Sequence, residues 1–377
     1  MARAFQRVMG AAALCVGALA ALPAQAGYSS LWVFGDSLSD TGNVLALTTA
    51  FTPNPFPVYP GAEGRFSNGP VWVDVLAAGL GLPAGAKSAN LLLTDPTTVT
   101  PLGPPGGQNF AYGGARTGLG GSAGATTGLL GQLAAWNGGG FAASLSRAAD
   151  PNALYVVVAG GNDLRDARSA NPGANPVDDA ARTAAAGAAA QGVVNSVGLL
   201  AQAGARHFLI SSMPDLGGSP EAVNMNVVAA STDVTVKFNA ALAATSAGFD
   251  NMFFGLTGVD LDIRYMDLFG LGMDIMDDAI NNGGAAYGIT NITTPCLTRG
   301  VFSNQYYAPD AVAANCGSSA YSDDLHPSAA LHAQIGRLAL ATVPEAPTAP
   351  LVALALAALV AVRRRPATQA TSALKCA

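Results

Sequence analysis

The scarcest reactive side chain in this sequence is histidine, which occurs three times, as His207, His326 and His332. His326 is set apart by its neighbours. Asp323 precedes it by three residues in Tyr321-Ser322-Asp323-Asp324-Leu325-His326-Pro327, a turn that Pro327 restricts. A carboxylate at that spacing reaches the imidazole Nδ1–H and holds the tautomer that leaves Nε2 free to take a proton. The hydroxyl such a base would serve is Ser37, in Gly35-Asp36-Ser37. Serine is a weak nucleophile until a base stands beside it, and attack on a carbonyl then requires donors aimed at the developing oxyanion. Three polar turns carry donors of the right kind: the N–H of Ser37, an N–H of the Gly113-Gly114 pair, and the side-chain amide of Asn162 in Gly160-Gly161-Asn162-Asp163. Taken singly, each is ordinary turn or linker chemistry. His207 opens an apolar run and reads as structural, while His332 reads as a packed residue of the last helix.

The elements that must bring these residues together are legible as alternating runs. Leu31-Trp32-Val33-Phe34 is a short buried strand that turns at Gly35, leaving Ser37 at its carboxyl end. Asn109 to Tyr112 is a short run ending at the glycine pair, and Leu154 to Ala159 is a continuous β-branched strand of the parallel type, ending on Gly160. His207 to Ser211 is the next strand, and Met252 to Leu256 a weaker one. Between them, helices are expected over Val71–Leu80, Val177–Gly204 (started by Asn175-Pro176) and Val234–Ala247, with a final one over roughly 328–341. Residues 44–70 are Pro-rich and read as a long loop over the catalytic edge, and 257–321 as loop-rich. Strand, helix, strand at this spacing implies right-handed crossovers and a parallel sheet, whose carboxyl edge is where ligands bind.

Composition narrows the function classes. The 377 residues are half hydrophobic, carry 45 glycines, and have a net charge of −6 with only 18 Lys and Arg. No basic stripe suits nucleic acid, and no His or Cys spacing suits a metal, so neither metal nor cofactor is expected. Residues 1–26 read as a secretory signal: Arg3 and Arg7, an apolar stretch from Met9 to Leu22, and Ala24-Gln25-Ala26. Residues 343–377 form a tail in which Pro344-Glu345-Ala346-Pro347 leads into the apolar run Leu351–Val362 and then Arg363-Arg364-Arg365. That run is the one part expected to enter a membrane. Cys296 and Cys316 are expected to pair as a disulfide in an exported chain.

Two resemblances follow from these motifs. Phe34 to Asn43, Asn109 to Ala115, Gly160 to Asp163 and Asp323 to Pro327 resemble the first, second, third and fifth blocks of the GDSL family of SGNH hydrolases, which are secreted esterases and lipases. The resemblance spans about residues 30–340, and residues 27–342 are expected to form the hydrolase domain. It implies a three-layer α/β/α sandwich of flavodoxin type. Its site would have Ser37 as nucleophile, Asp323 and His326 as orienting acid and base, and Ser37, Gly113 or Gly114, and Asn162 as oxyanion donors. Ser39 stands where an α/β-hydrolase elbow would have its second glycine, so that fold is not implied. The tail resembles the PEP-CTERM sorting signals of Gram-negative bacteria, which implies passage through the periplasm to the cell surface or medium and processing by an exosortase. The implied substrate is an ester, lipid or acylated sugar. Removal of acetyl groups from exopolysaccharide, acyl transfer to another alcohol, and a non-catalytic matrix role are the competing readings.

Overall fold

The chain begins its sheet with the run expected to be buried. In the computed structural model, which describes residues 27–59, 61–95, 97–104, 106–139, 147–298 and 312–343, Leu31–Gly35 is strand β1. It is followed by helices α1 (Asn43–Phe51) and α2 (Trp72–Gly79), then by the hairpin strands β2 (Leu91–Asp95) and β3 (Thr98–Pro101) and helix α3 (Leu129–Trp136). Next come β4 (Leu154–Val158), α4 (Gly161–Ala170), α5 (Pro176–Ala203), β5 (His207–Ser211), the short α6 (Pro220–Asn224) and α7 (Val228–Thr257). The chain then forms β6 (Asp262–Met266), α8 (Leu268–Asn281), the paired dipeptides β7 (Leu297–Thr298) and β8 (Val312–Ala313), and α9 (Ala329–Thr342). Tyr28–Val343 makes one compact unit.

The central sheet is parallel, in the order β1-β4-β5-β6. Leu31 lies opposite Leu154, Leu154 opposite His207, and His207 opposite Asp262. Residues 108–112 add a further parallel partner on the free side of β1: Val33 N–H donates to Gln108 O, Phe110 N–H to Val33 O and Tyr112 N–H to Gly35 O, at 3.0, 2.7 and 3.1 Å. Counted with that segment the order is 2-1-3-4-5, the flavodoxin pattern. Right-handed crossovers then place α5 and α7, which pack on each other, on one face. The α2–α9 pair lies on the other, its helices so close that a Cβ on Gly336 would fall 2.4 Å from Val75 Cβ.

Local chemistry explains the helices. Asn175 accepts from Val177 and Asp178 N–H at the start of α5, Pro176 occupies its first turn, and Gly204 ends it with φ 118°. Alanines along α5 let α7 approach. By length and hydropathy α5 could cross a membrane, but over half of that stretch is buried within the domain.

Three expectations fail. Residues 252–256 are not a strand: α7 runs unbroken to Thr257, with the Phe249 and Phe253 rings one turn apart, tilted, and 5.7 Å between centroids. The last sheet strand is instead Asp262–Met266, whose mixed polar composition suits a sheet edge. The loop-rich stretch contains α8, and the Pro-rich stretch begins with α1. The signal-like segment 1–26 and nearly all of the tail, 344–377, lie outside the described residues.

Candidate active site

Ser37 is held by stitching that the sequence motif supplies itself. Asp36 Oδ1 accepts the Leu38 N–H at 3.1 Å. Asp40 accepts from the N–H groups of Gly42, Asn43 and Val44, capping α1, and its Oδ2 also takes the Gly113 N–H at 2.8 Å. Asn43 reaches Asn109 O and Ala111 O, and Asn109 returns a bond to Ser39 O at 2.7 Å. The Asp-Ser turn and the glycine-pair loop are thus one hydrogen-bonded block. Beneath it, Gly35 passes so near β4 that a Cβ would lie 2.4 Å from Val158 O.

The late turn closes onto this block. His326 Nδ1–H donates to Asp323 Oδ2 at 2.7 Å, which leaves Nε2 to accept from Ser37 Oγ–H at 2.9 Å. The three side chains come together from positions 289 residues apart, and all are buried. Asp323 Oδ1 accepts the N–H groups of Leu325 and His326 at 2.8 and 2.6 Å, and Oδ2 also receives the Tyr59 hydroxyl at 2.6 Å. Burial pushes the Asp323 carboxyl up, but the adjacent His326 and these hydrogen bonds outweigh it and hold it below the usual carboxylate range. Asp36, in the same cleft, is pushed up to about 6 by burial.

The residues expected to supply oxyanion donors line the cleft beside Ser37. Ser37, Gly113, Gly114 and Asn162 all border one lobe of the cleft together with His326. The Gly113 N–H is spent on Asp40. Those of Ser37 and Gly114 donate to no other described group. Asn162 uses one amide hydrogen on Ala115 O at 2.9 Å, leaving a second. The second lobe, about 800 Å³ counted out to its open mouth, has as its apolar walls Met213 and Leu216, Leu268 and Leu271 of α8, and Leu331 and Ile335 of α9.

Other side chains fall where the sequence suggested or in unforeseen roles. His207 pairs with Asp262 at 3.2 Å at the sheet's far end, and His332 is fully buried with Nδ1 accepting the Trp72 N–H. Cys296 and Cys316 are joined as a disulfide with Cα atoms 5.1 Å apart. Tyr59 packs against that bridge; its role on Asp323 could not be read from spacing, because the two are 264 residues apart. Arg165 was also missed, although its place one turn after Asn162 on α4 was a usable signal. Among the described residues, no group of three or more His, Cys, Asp or Glu could hold a metal ion.

Comparison with known proteins places this geometry. The chain is 43% identical over 76 residues to a phosphatidylcholine-sterol acyltransferase of Aeromonas hydrophila, covering 20% of this chain and 21% of that protein. It is 33% identical over 239 residues to esterase EstA of Pseudomonas aeruginosa, covering 58% of this chain and 33% of the relative, and equally to esterase EstA of Pseudomonas putida. The chain therefore spans a third or less of the length of these relatives. The GDSL-like lipase/acylhydrolase family model matches residues 31–339, nearly the whole of the described structure, and the chain belongs to that family.

Proposed function

We propose that this protein hydrolyses carboxylic esters through an acyl-enzyme on Ser37. The observation that carries the reading is the unbroken relay Ser37–His326–Asp323, at 2.9 and 2.7 Å. His326 Nε2 takes the hydroxyl proton as Oγ bonds to the ester carbonyl carbon, and Asp323 stabilises the imidazolium. The oxyanion is received by Ser37 N–H, the free hydrogen of Asn162 and, because Gly113 is engaged by Asp40, the N–H of Gly114. The carbon–alkoxy bond then breaks and His326 returns its proton to the alcohol. A water molecule, deprotonated by the same nitrogen, releases the acid and restores Ser37.

The apolar lobe supports an acyl chain of several carbons, as in a lipid ester, over an acetylated sugar. The composition of residues 1–26 and 343–377 supports export, with the tail a target for exosortase processing and its apolar run a membrane segment. Fluorophosphonate labelling and turnover of p-nitrophenyl esters test the chemistry. The parent should label and turn over, and Ser37→Ala should do neither, with kcat reduced by several orders of magnitude. Ester turnover by Ser37→Ala at the parent's rate would refute it. Faster release of acetate from acetylated xylan than of octanoate from its nitrophenyl ester would move the substrate assignment to carbohydrate.

A further inference from the structure

An asparagine serves an oxyanion only with its nitrogen end forward. Turned over, the same side chain would present a carbonyl oxygen to a negative charge. In this site two contacts fix the sense of Asn162: its Nδ2 donates to Ala115 O, and its Oδ1 accepts from Arg165 Nη1 at 3.3 Å. Arg165 comes from the next turn of α4 and is itself held. Its Nε donates to Glu221 Oε2 at 3.0 Å and its Nη2 to Glu221 Oε1. Glu221, on α6, is buried and also receives Arg168, which is anchored to Ser231 Oγ of α7 at 2.8 Å. The backbone of Glu221 donates to Asp324 O at 2.7 Å, inside the turn that carries Asp323 and His326.

We propose that Arg165, clamped by Glu221, is a positioning residue that holds the Asn162 amide in its donating orientation. The inference rests on the oxyanion role of Asn162 proposed above. Two further features favour it. The guanidinium groups of Arg165 and Arg168 share the Glu221 carboxylate, so the group that touches Asn162 Oδ1 is itself fixed in place. Arg165 also borders both lobes of the cleft beside Ser37, so it lies within range of the reacting centre. Because one buried residue, Glu221, holds α4 through its carboxylate and the Asp323 turn through its backbone N–H, the donor side and the base side of the site share one fastening.

A double-mutant cycle on the purified enzyme with a p-nitrophenyl ester tests this. Arg165→Met keeps the side-chain stem and removes the donors. It should lower kcat about tenfold while leaving KM within about a factor of two, since the oriented amide matters chiefly in the transition state. In an Asn162→Ala background the same change should cost less than about a factor of two. Equal losses in both backgrounds, or an unchanged kcat, overturn the inference while Asn162→Ala alone remains slow. If Asn162→Ala is as fast as the parent, the oxyanion reading falls and this one with it. Should Arg165→Met fail to fold, Arg165→Lys, which keeps charge and one point donor but loses the fork, should show a smaller kcat loss that again disappears without Asn162. A loss that persists in that background counts against the proposal.

Discussion

Tyr59→Phe removes one oxygen from the molecule and one hydrogen bond from the carboxylate on which His326 rests. The Tyr59 ring is buried against Cys296 and Leu297, and Asp323 is 2% exposed, so water does not readily replace the lost donor. A hydrogen bond to a buried charged group contributes about 1.5–3 kcal/mol, and the short 2.6 Å contact places this one near the middle, at about 2 kcal/mol. The donors from Leu325 and His326 remain, so the Asp323 geometry survives and kcat should fall by less than about tenfold, far less than the roughly 10⁴-fold expected from a carboxylate lost altogether. The stability deficit carries a pH signature. Asp323 is held below its ordinary range, so the bond contributes fully above the unfolded carboxyl's pKa of about 4 and is lost only as acid protonates the folded group at lower pH. Urea unfolding followed by tryptophan fluorescence, with Trp72 and Trp136 as buried reporters, reads both effects. Identical unfolding free energies at neutral pH would refute the reasoning, as would a deficit that does not shrink below about pH 4.

Three other outcomes are expected. Removing the Cys296–Cys316 bridge by a double Cys→Ala change should cost about 3 kcal/mol. It should also lower kcat, because Cys296 and Leu297 donate to Tyr321 O and Ser322 O just before Asp323; full activity in the unbridged protein would show that this support is dispensable. Asp36 titrates near 6 when folded and near 4 when unfolded, so the folded state binds the extra proton between those values and stability falls as pH rises through them, by about 3 kcal/mol. Asp36→Asn should flatten that part of a melting-temperature profile, and an unchanged slope would count against a neutral buried Asp36. Gly272, on α8, borders the apolar lobe and a Cβ there meets nothing within 4 Å. Gly272→Phe should therefore lower kcat/KM for octanoate esters by about tenfold or more and spare acetate, as read from a chain-length series.

How far the site could be read from sequence depended on how local each part is. The Ser37 turn, the glycine pair, Asn162 and the Asp323–His326 spacing are all short stretches whose residue types announce turns at strand ends, and the parallel order β1-β4-β5 follows from apolar runs separated by helices. The same logic misplaced the last sheet strand. Apolar Met252 to Leu256 looks more like a strand than Asp262-Ile263-Arg264-Tyr265-Met266, but Phe253 buries its ring from a helix, while β6 is an edge strand that tolerates Asp and Arg. Tyr59 and Glu221 were invisible because their partners are set by tertiary contact: nothing near either residue marks it as the support of Asp323 or Arg165. That Asp40 takes the Gly113 N–H is likewise a contact between residues 73 apart, which spacing does not announce.

One wall of the apolar lobe, formed by Leu268, Leu271, Leu331 and Ile335, comes from α8 and α9, helices that carry neither Ser37 nor Asn162. The Ser37 turn and the glycine-pair loop, by contrast, are pinned at strand ends by buried polar contacts. On the proposed reading, substitutions along that wall would retune the accepted chain length while the contacts that join Ser37, His326 and Asp323 stay untouched.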